Sequence, residues 1–593
     1  MARSVAWMMI LMLLSCSETK LRRLGDSCQQ DEECVSSRCD ELVCKANPPA
    51  AVGEPCSHAL ECASERCEVL LEGSYCAKGE RPIGAACSLD AQCESLLCER
   101  GVCQAQSVDS GVDSSPQRDS IPTPDAGPVD SAVDFGSDGP NPDIVDAGPV
   151  DASVDSVADG PSLPLNQIWQ KTFGGPLYDK GVSVVVDSKG NIYLAGQFYG
   201  TVNLGGGNVT SLGPSDIFIT SFSADGTHRW QKVFGGTSSR NETTGMAVDI
   251  NGNVTIIGDF YETAELADGN VTAQGGSDIF ISSFTENGTY RWQKILGGSG
   301  FEYSHGVVVD SSGSVTLTGY LFTTVDLGGG IVTPKAGGTD LFITSFTVDG
   351  EHRWQKAVGG TTSEQARDVA VDTKGNVTVV GNMYGAADLG GGSETSFAGN
   401  ADIFITSFTS DGVHRWQRAL GGSSNDFAYG VAADNNGNIT VTGYFTDMAE
   451  LGSSVITSRG VSDIFVTHFT ADGTHRWQKA LGGTFSDVGT SLVVDGQGNI
   501  TITGYFTDTA ELGGGSVTSQ GLADIFVTGF TSDGVHRWQR ALGGTSTDRG
   551  NKVAVDSEGN VIIAGTFKDT ADLGGSSVTS MGNTDIFLVK FGL

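Results

Sequence analysis

A chain of 593 residues is longer than one compact core supports, so several units are expected. The formal net charge is −36, and it is spread along the chain: about −7 over residues 17–103, about −11 over 104–164 and about −19 over 165–593. No segment concentrates the positive charge that binding to nucleic acid or adsorption to an anionic bilayer requires, so neither is expected.

The first residues, "MARSVAWMMILMLLSC", carry one basic residue, Arg3, and an apolar run from Val5 to Leu14. The run is too short to span a bilayer as a mature helix and reads as a signal peptide over residues 1–15. "LLSC" at Leu13–Cys16 resembles the bacterial lipobox, in which cleavage leaves a diacylated N-terminal Cys. The resemblance implies lipidation of Cys16 and an anchored N-terminus over 16–24. It implies a bacterial cell-envelope address, anchored in the outer membrane and exposed at the surface, with membrane contact through the lipid alone. An ordinary secretory signal with an incidental Cys is the competing reading.

Setting Cys16 aside leaves 12 of the 13 cysteines, in three sets of four over residues 25–103. The sets are Cys28, Cys34, Cys39 and Cys44; Cys56, Cys62, Cys67 and Cys76; and Cys87, Cys93, Cys98 and Cys103. Each opens with a glycine three residues upstream (Gly25, Gly53, Gly84). An exported chain can oxidise them, and modules this short need disulfides to hold a fold. They resemble the small Cys-rich modules related to the Dickkopf N-terminal domain. Four cysteines allow three pairings, and the sequence does not choose among them. Zinc is the rival reading, but metal sites favour C-x2-C knuckles and none occurs here. No metal and no cofactor are expected.

From Gln104 to Pro164 the text is Asp, Ser, Pro, Gly and Val, with Arg118 its one basic residue and Phe135 its one aromatic. Such a segment cannot bury enough surface to order itself and reads as a disordered linker or stalk. A random coil of this length spans roughly 45 Å and a polyproline II chain up to about 190 Å.

Beyond it one pattern repeats. Trp169, Trp230, Trp292, Trp354, Trp416, Trp477 and Trp538 are 61 or 62 residues apart, and the Asp of a D-[IL]-F triplet recurs at Asp216, Asp278, Asp340, Asp402, Asp463, Asp524 and Asp585. Each unit holds four candidate strands, for example "GVAAD" (Gly430–Asp434), "NITVTGYF" (Asn438–Phe445), "DIFVTHF" (Asp463–Phe469) and "HRWQKAL" (His475–Leu481), with Gly-containing turns such as "DNNGN" and "TADGT". Four strands repeated seven times give an all-β fold, a seven-bladed β-propeller over residues 165–593. The chain opens the repeat on a lone fourth strand, Ile168–Gly175, and ends on a third strand, so a 1+3 blade is expected to close the ring.

"VAVDSEGNVIIAG" (Val553–Gly565), "ADLGGSSVTS" and "TDIFLVKF" resemble the SBBP-type β-propeller repeat of bacterial surface proteins and, more distantly, the NHL repeat. The resemblance implies that "VAVD" is the innermost strand, so Val248, Val308 and Val371 should face the central channel or the next blade. Each repeat Trp should seal blade on blade. A Lys or Arg two residues after every Trp is expected to shield the open edge of the outermost strand; the rival is a basic belt for anionic glycans.

Five histidines before "RW" (His228, His352, His414, His475, His536) are copies and read as scaffold. The "D-x-x-G-N" turns lack the spacing and closing Glu of a calcium loop and read as Asx turns. There is no HExxH, GxSxG or P-loop. The expected function is therefore non-catalytic binding or adhesion, by a monomer, toward a glycan or protein partner. The alternative is an envelope enzyme, a glycan lyase or hydrolase, but the non-repeated residues are scattered singly along the chain. The second-to-third and blade-to-blade connections should share one face of the disc. The blade-to-blade connections differ strongly and hold the candidate ligand-binding residues Tyr178, Arg240, Phe301, Tyr303, His305, Arg367, Phe427, Tyr429, Phe485 and Arg549. The competing view is that these loops vary because nothing constrains them.

Overall fold

The computed structural model describes residues 165–593, apart from 238, 239, 336, 398 and 399, and six short strands nearer the N-terminus. The chain divides into two units, Met1–Asp146 and Ala147–Leu593. In the first, three antiparallel hairpins are formed by Ser37–Asp40 with Val43–Ala46, Cys67–Leu70 with Gly73–Cys76, and Leu96–Glu99 with Val102–Ala105. In each, the third and fourth cysteines of a set stand opposite one another: Cys39 and Cys44, Cys67 and Cys76, Cys98 and Cys103. The signal peptide, Cys16, the other six cysteines and residues 106–164 lie outside the described residues.

The second unit is the seven-bladed propeller. In blade 5 the strands Phe427–Ala433, Ile439–Phe445, Asp463–Phe469 and His475–Gly483 pair antiparallel in chain order. The third strand is buried along its whole length and the second at every position but Tyr444, as expected of a sheet covered on both faces, and both are rich in β-branched and aromatic residues. A glycine in the second strand is required by packing. A Cβ at Gly443 would lie 1.9 Å from the carbonyl oxygen of Phe427, where the first strand bulges between Ala428 and Gly430.

Closure follows the 1+3 scheme. The last blade has strands Arg549–Val555, Val561–Phe567 and Asp585–Gly592, and its fourth is Asn166–Phe173 from the start of the repeat region, with Lys590 opposite Trp169 and Ile586 opposite Phe173.

The core is divided rather than central. Seven apolar clusters each combine side chains of two adjacent blades. The repeat Trp belongs to these seams. Trp292 donates its indole N–H to the carbonyl of Val348 at 2.9 Å, in the third-to-fourth turn of the next blade, and its ring covers Gly350. Gly350 has φ +82° and no room for a Cβ, which would come 2.8 Å from the indole. The same bond recurs from Trp169, Trp230, Trp354, Trp416 and Trp477. Trp538 is the exception: its buried indole nitrogen has no partner among the described residues. The next blade is the 1+3 blade, whose third and fourth strands come from opposite ends of the chain, so the accepting turn does not exist there.

Two expectations about the outer strand are corrected. Its end is not an open edge: Gly482 and Gly483 pair with Glu511 and Ala510 in a small hairpin, Thr509–Glu511 with Ser516–Thr518, of the next blade. Four of the seven cations after the repeat Trp do not guard an edge either. Lys171, Lys232, Lys479 and Arg540 lie 5.2–5.9 Å over a Phe ring of the third strand in the next blade, so they reinforce the seam. The small hairpins went unread because their "ADLGG" and "SSVTS" words look like loop.

Candidate functional site: the variable rim

The inner strands line a channel of about 370 Å³, into which Val248, Val308 and Val371 face as expected. At one end of the channel the near-identical repeats diverge. Just after a buried residue that opens each inner strand, one position reads Lys180, Glu242, Tyr303, Gln365, Phe427, Val488 and Arg549 around the ring. Two residues further on stand Val182, Thr244, His305, Arg367, Tyr429, Thr490 and Asn551. The second strand places Gln197, Asp259, Tyr320, Asn382, Tyr444, Tyr505 and Thr566 directly opposite or beside the first set. The blade-to-blade loops meet the second-to-third connections here, through bridges such as Ser277 to Phe301 and Ser462 to Ser486. Both kinds of connection therefore share one face.

The predicted residues fall into three groups on this face. On blade 3, Phe301 and Tyr303 stack with centroids 6.4 Å apart and planes within 6°. Tyr320 lies 5.3 Å from Tyr303, and Phe322 lies edge-on at 6.2 Å. His305 stacks on Tyr320 at 5.4 Å. Burial, and to a lesser degree the charge of Arg367, push its imidazole down to about 3, so it is neutral. Arg367 is held by Gln365 at 2.7 Å and Asn382 at 3.1 Å. Blade 5 repeats the aromatic motif: Phe427 stacks with Tyr429 at 6.4 Å and with Tyr444 at 5.2 Å. On blades 7, 1 and 2, Arg549 lies 4.7 Å over Tyr505, Tyr178 meets Tyr199 edge-on at 6.0 Å, and Arg240 is ion-paired with Glu242. Phe485 is exposed on the loop between blades 5 and 6.

Sequence reasoning missed Tyr320, Tyr444 and Tyr505 on the second strands and Tyr199, Tyr261 and Phe322 just past their ends. For the strand tyrosines a signal was present: the residue after the second-strand glycine takes five identities in seven repeats, whereas the glycine is constant and the following residue is Phe in five. The view that non-repeated residues are scattered singly is also corrected, because the rim gathers them. Glu242 and Asp259 are cross-strand partners. Asp259 is buried, accepts bonds from the Ser304 amide and hydroxyl at 2.9 Å each, and is pushed up to about 8 by burial. Across the channel Lys552 of blade 7 faces Asp368 of blade 4 at 3.6 Å.

A second set of carboxyls lies beneath the rim. The buried residue opening each inner strand is Asp179, Asn241, Glu302, Glu364, Asp426, Asp487 or Asp548. The six acids meet the triplet Asp of the preceding blade. At blades 5 and 6, Asp487 accepts the Gly483 amide at 2.7 Å and the Thr507 amide at 2.9 Å. Asp463 accepts the Arg459 amide at 3.0 Å through Oδ2, and its Oδ1, turned toward Asp487, has no partner among the described residues. Burial raises these carboxyls: Asp179, Asp487 and Asp548 to about 6, Glu302 and Glu364 to about 7.

The copied histidines are scaffold groups that pack within their own blade. His352 lies edge-on to Phe346 at 5.7 Å, over a Gly-Gly-Gly turn that leaves no room for a side chain at Gly329. The "D-x-x-G-N" turns are Asx turns: Asp249 accepts the amides of Asn251 and Asn253 at 2.9 and 2.7 Å.

Among known proteins, the β-propeller repeat family SBBP matches residues 168–197. The chain is 23% identical over 505 residues to an uncharacterized WD repeat-containing protein, L264, of Acanthamoeba polyphaga mimivirus; the match covers 68% of this chain and 36% of that protein, so it spans about a third of the relative. Among solved structures, the Pan2 WD40 domain of Neurospora crassa matches with TM-score 0.35 and 10% identity over 70% of this chain and 89% of that one. The gluconolactonase XC5397 of Xanthomonas campestris matches with TM-score 0.29 and 12% identity over 60% and 90% respectively.

Proposed function

We propose that the chain is a non-catalytic binding module, a rigid ring that captures a glycan or protein partner on its variable rim. One observation carries this reading: aromatic and charged variety is concentrated on one face. The first-to-second and third-to-fourth turns on the opposite face keep one frame, "D-x-x-G-N" with Ser314 for Asn in blade 3 and "D-G-x-H" with Asn287 and Tyr290 in blade 2, and their free positions carry no aromatic residue, whereas the rim positions change between aromatic, cationic, acidic and amide side chains. Drift from lack of constraint would bring such changes to both faces alike. Exposed rings beside amides and guanidinia suit stacking on sugars or anchoring a protein surface. The name of the mimivirus relative, a WD repeat-containing protein, is compatible with a protein-binding role. We further propose display at a bacterial cell envelope through a lipid on Cys16, which rests on the "LLSC" motif; unchanged membrane fractionation of a Cys16→Ala protein would contradict it.

The enzyme reading has one feature in its favour, the adjacent carboxyls of Glu242 and Asp259. Asp259, however, is 4% exposed and its Oδ1 is engaged by Ser304, which suits a tie between blades 2 and 3 better than proton transfer to a substrate. The test is paired substitution. Phe301, Tyr303, Phe427 and Tyr429 changed together to Ser should abolish retention of a partner by the immobilised propeller, whereas Thr474→Ala with Val535→Ala should not. The reverse pattern in folded proteins would assign binding to the opposite face.

A further inference from the structure

The rim is not uniform. Its aromatics gather on blades 3 and 5, whereas the stretch from blade 7 through blade 1 to blade 2 carries three cations on neighbouring inner strands. Arg549 and Lys180 hold the same repeat position in adjacent blades, opposite Thr566 and Gln197. Arg240 heads the inner strand of blade 2, bridged to Ser215. The carboxylate facing this trio is that of Glu242, and it is committed to Arg240.

In the layer open to solvent three cations meet one carboxylate; Asp179 and Asp548 lie beneath them with both oxygens taken by backbone amides, of Gly175 and Tyr199 and of Gly544 and Lys568. Within a domain carrying about −19 that layer is a local excess of positive charge. Lys180 is half-buried, and burial first, then the neighbouring guanidinia, draw its ammonium below the ordinary lysine range in spite of Glu242. A further anion would relieve that imbalance. Arg549 lies over the Tyr505 ring at 4.7 Å and forms no ion pair among the described residues, which leaves guanidinium N–H groups for a ligand. Tyr178, 42% exposed, stands beside them, propped edge-on by Tyr199.

We infer that this sector is a subsite for the carboxylate groups of an acidic polysaccharide, with Lys180 and Arg549 receiving the carboxylate and Tyr178 lying against the sugar face. The inference rests on the reading of the rim as the partner-binding face. A uronate unit presents a C–H face and a carboxylate in fixed proximity, which matches a tyrosine ring beside two cations. An acidic peptide carries its carboxylates on flexible arms and has no use for the neighbouring ring.

The experiment is affinity electrophoresis of the full chain through gels containing polygalacturonate, with methyl-esterified polygalacturonate as the neutral counterpart. The wild type should be retarded by the acid form and not by the ester. Lys180→Gln with Arg549→Gln should weaken retardation roughly tenfold or more, as expected for loss of charge-assisted hydrogen bonds, while Thr474→Ala on the opposite face should leave it intact. Matching melting curves establish that the variants are folded. Absence of retardation of the wild type, equal retardation by the ester, or full competition by poly-glutamate each overturns the subsite. A charge variant that behaves as wild type, while Tyr303→Ser with Phe427→Ser loses binding, overturns the subsite and leaves the rim reading standing. Loss of retardation only in the opposite-face variant overturns both.

Discussion

Where blades 5 and 6 meet, Asp463, Gly482, Gly483 and Asp487 form an arrangement that recurs, with small changes, at the other junctions; one residue after Asp487, at Val488, the repeat stops copying itself. The two regions are neighbours on the same strands but answer to different constraints. At the junction each atom is fixed by another blade: a Cβ on Gly482 would come within 2.8 Å of carboxylate oxygens from both Asp463 and Asp487. On the rim some side chains still bond the next blade, as Asn551 does with Gly181 and Thr490 with Gly550, but the exposed ones, Tyr178, Phe301 and Phe485 among them, project into solvent, where a ligand rather than a seam selects among them. Substitutions should therefore separate into those that change stability and those that change binding.

The largest effect should come from breaking the ring. Deleting Ile168–Gly175 removes a ladder to Asp585–Gly592 and the Trp169 and Phe173 seam packing. It should cost about 5 kcal/mol or more and lower the melting temperature by on the order of 10 °C, measured by calorimetry. An unchanged curve would count against closure.

Next comes Gly504→Ala, which sets a Cβ 2.0 Å from the carbonyl oxygen of Val488 and 2.8 Å from the ring of Phe526. A loss of about 3 kcal/mol is expected in denaturant unfolding, with no change in partner retention by whatever protein remains folded.

The junction carboxyls predict a pH dependence with a definite sign. Their pKa values are raised in the folded ring, so the folded state binds more protons than the unfolded one. That stabilisation is complete below the unfolded carboxyl range and is lost as pH rises through about 6 for Asp179, Asp487 and Asp548 and about 7 for Glu302 and Glu364. Melting temperature should fall between about pH 5 and about pH 8; a rise would refute this account of the junctions. Asp463→Asn sharpens it. The amide oxygen keeps the Arg459 bond, and the new N–H₂ supplies Asp487 with a donor where Asp463 Oδ1 has none. It should stabilise the protein by about 1 kcal/mol at about pH 8 and flatten the pH slope. Blade 2 already places an amide, Asn241, at the partner position of its junction.

The smallest stability effect should come from the rim. Tyr178→Ser and Phe301→Ser, both at exposed positions, should each shift unfolding by less than about 0.5 kcal/mol.

Most of the scaffold was legible because it is written repeatedly: the Trp and D-[IL]-F spacing gave blade number, strand order and the 1+3 closure. The small hairpins that tie each outer strand to the next blade were not, since two or three paired residues beside Gly-Gly carry no period. Four of the cations after Trp were placed on the correct strand but given the wrong neighbour, because a sequence does not show which way Lys171 leans across a seam. On the rim, Phe301 with Tyr303 and Phe427 with Tyr429 were visible as unlike residues in like loops. Tyr320 and Tyr444 were harder to place, because they stand inside well-formed strands, one residue from the end, and join the cluster only through cross-strand register.

The central claim, that the variable rim and not the copied face meets the partner, is tested most directly by footprinting the full chain, free and bound to a molecule it retains, by hydrogen exchange or hydroxyl-radical labelling. Protection should appear over residues 299–305 and 425–429 on the rim, with the turns at 471–474 and 532–535 unchanged. Protection confined to those turns would contradict the account.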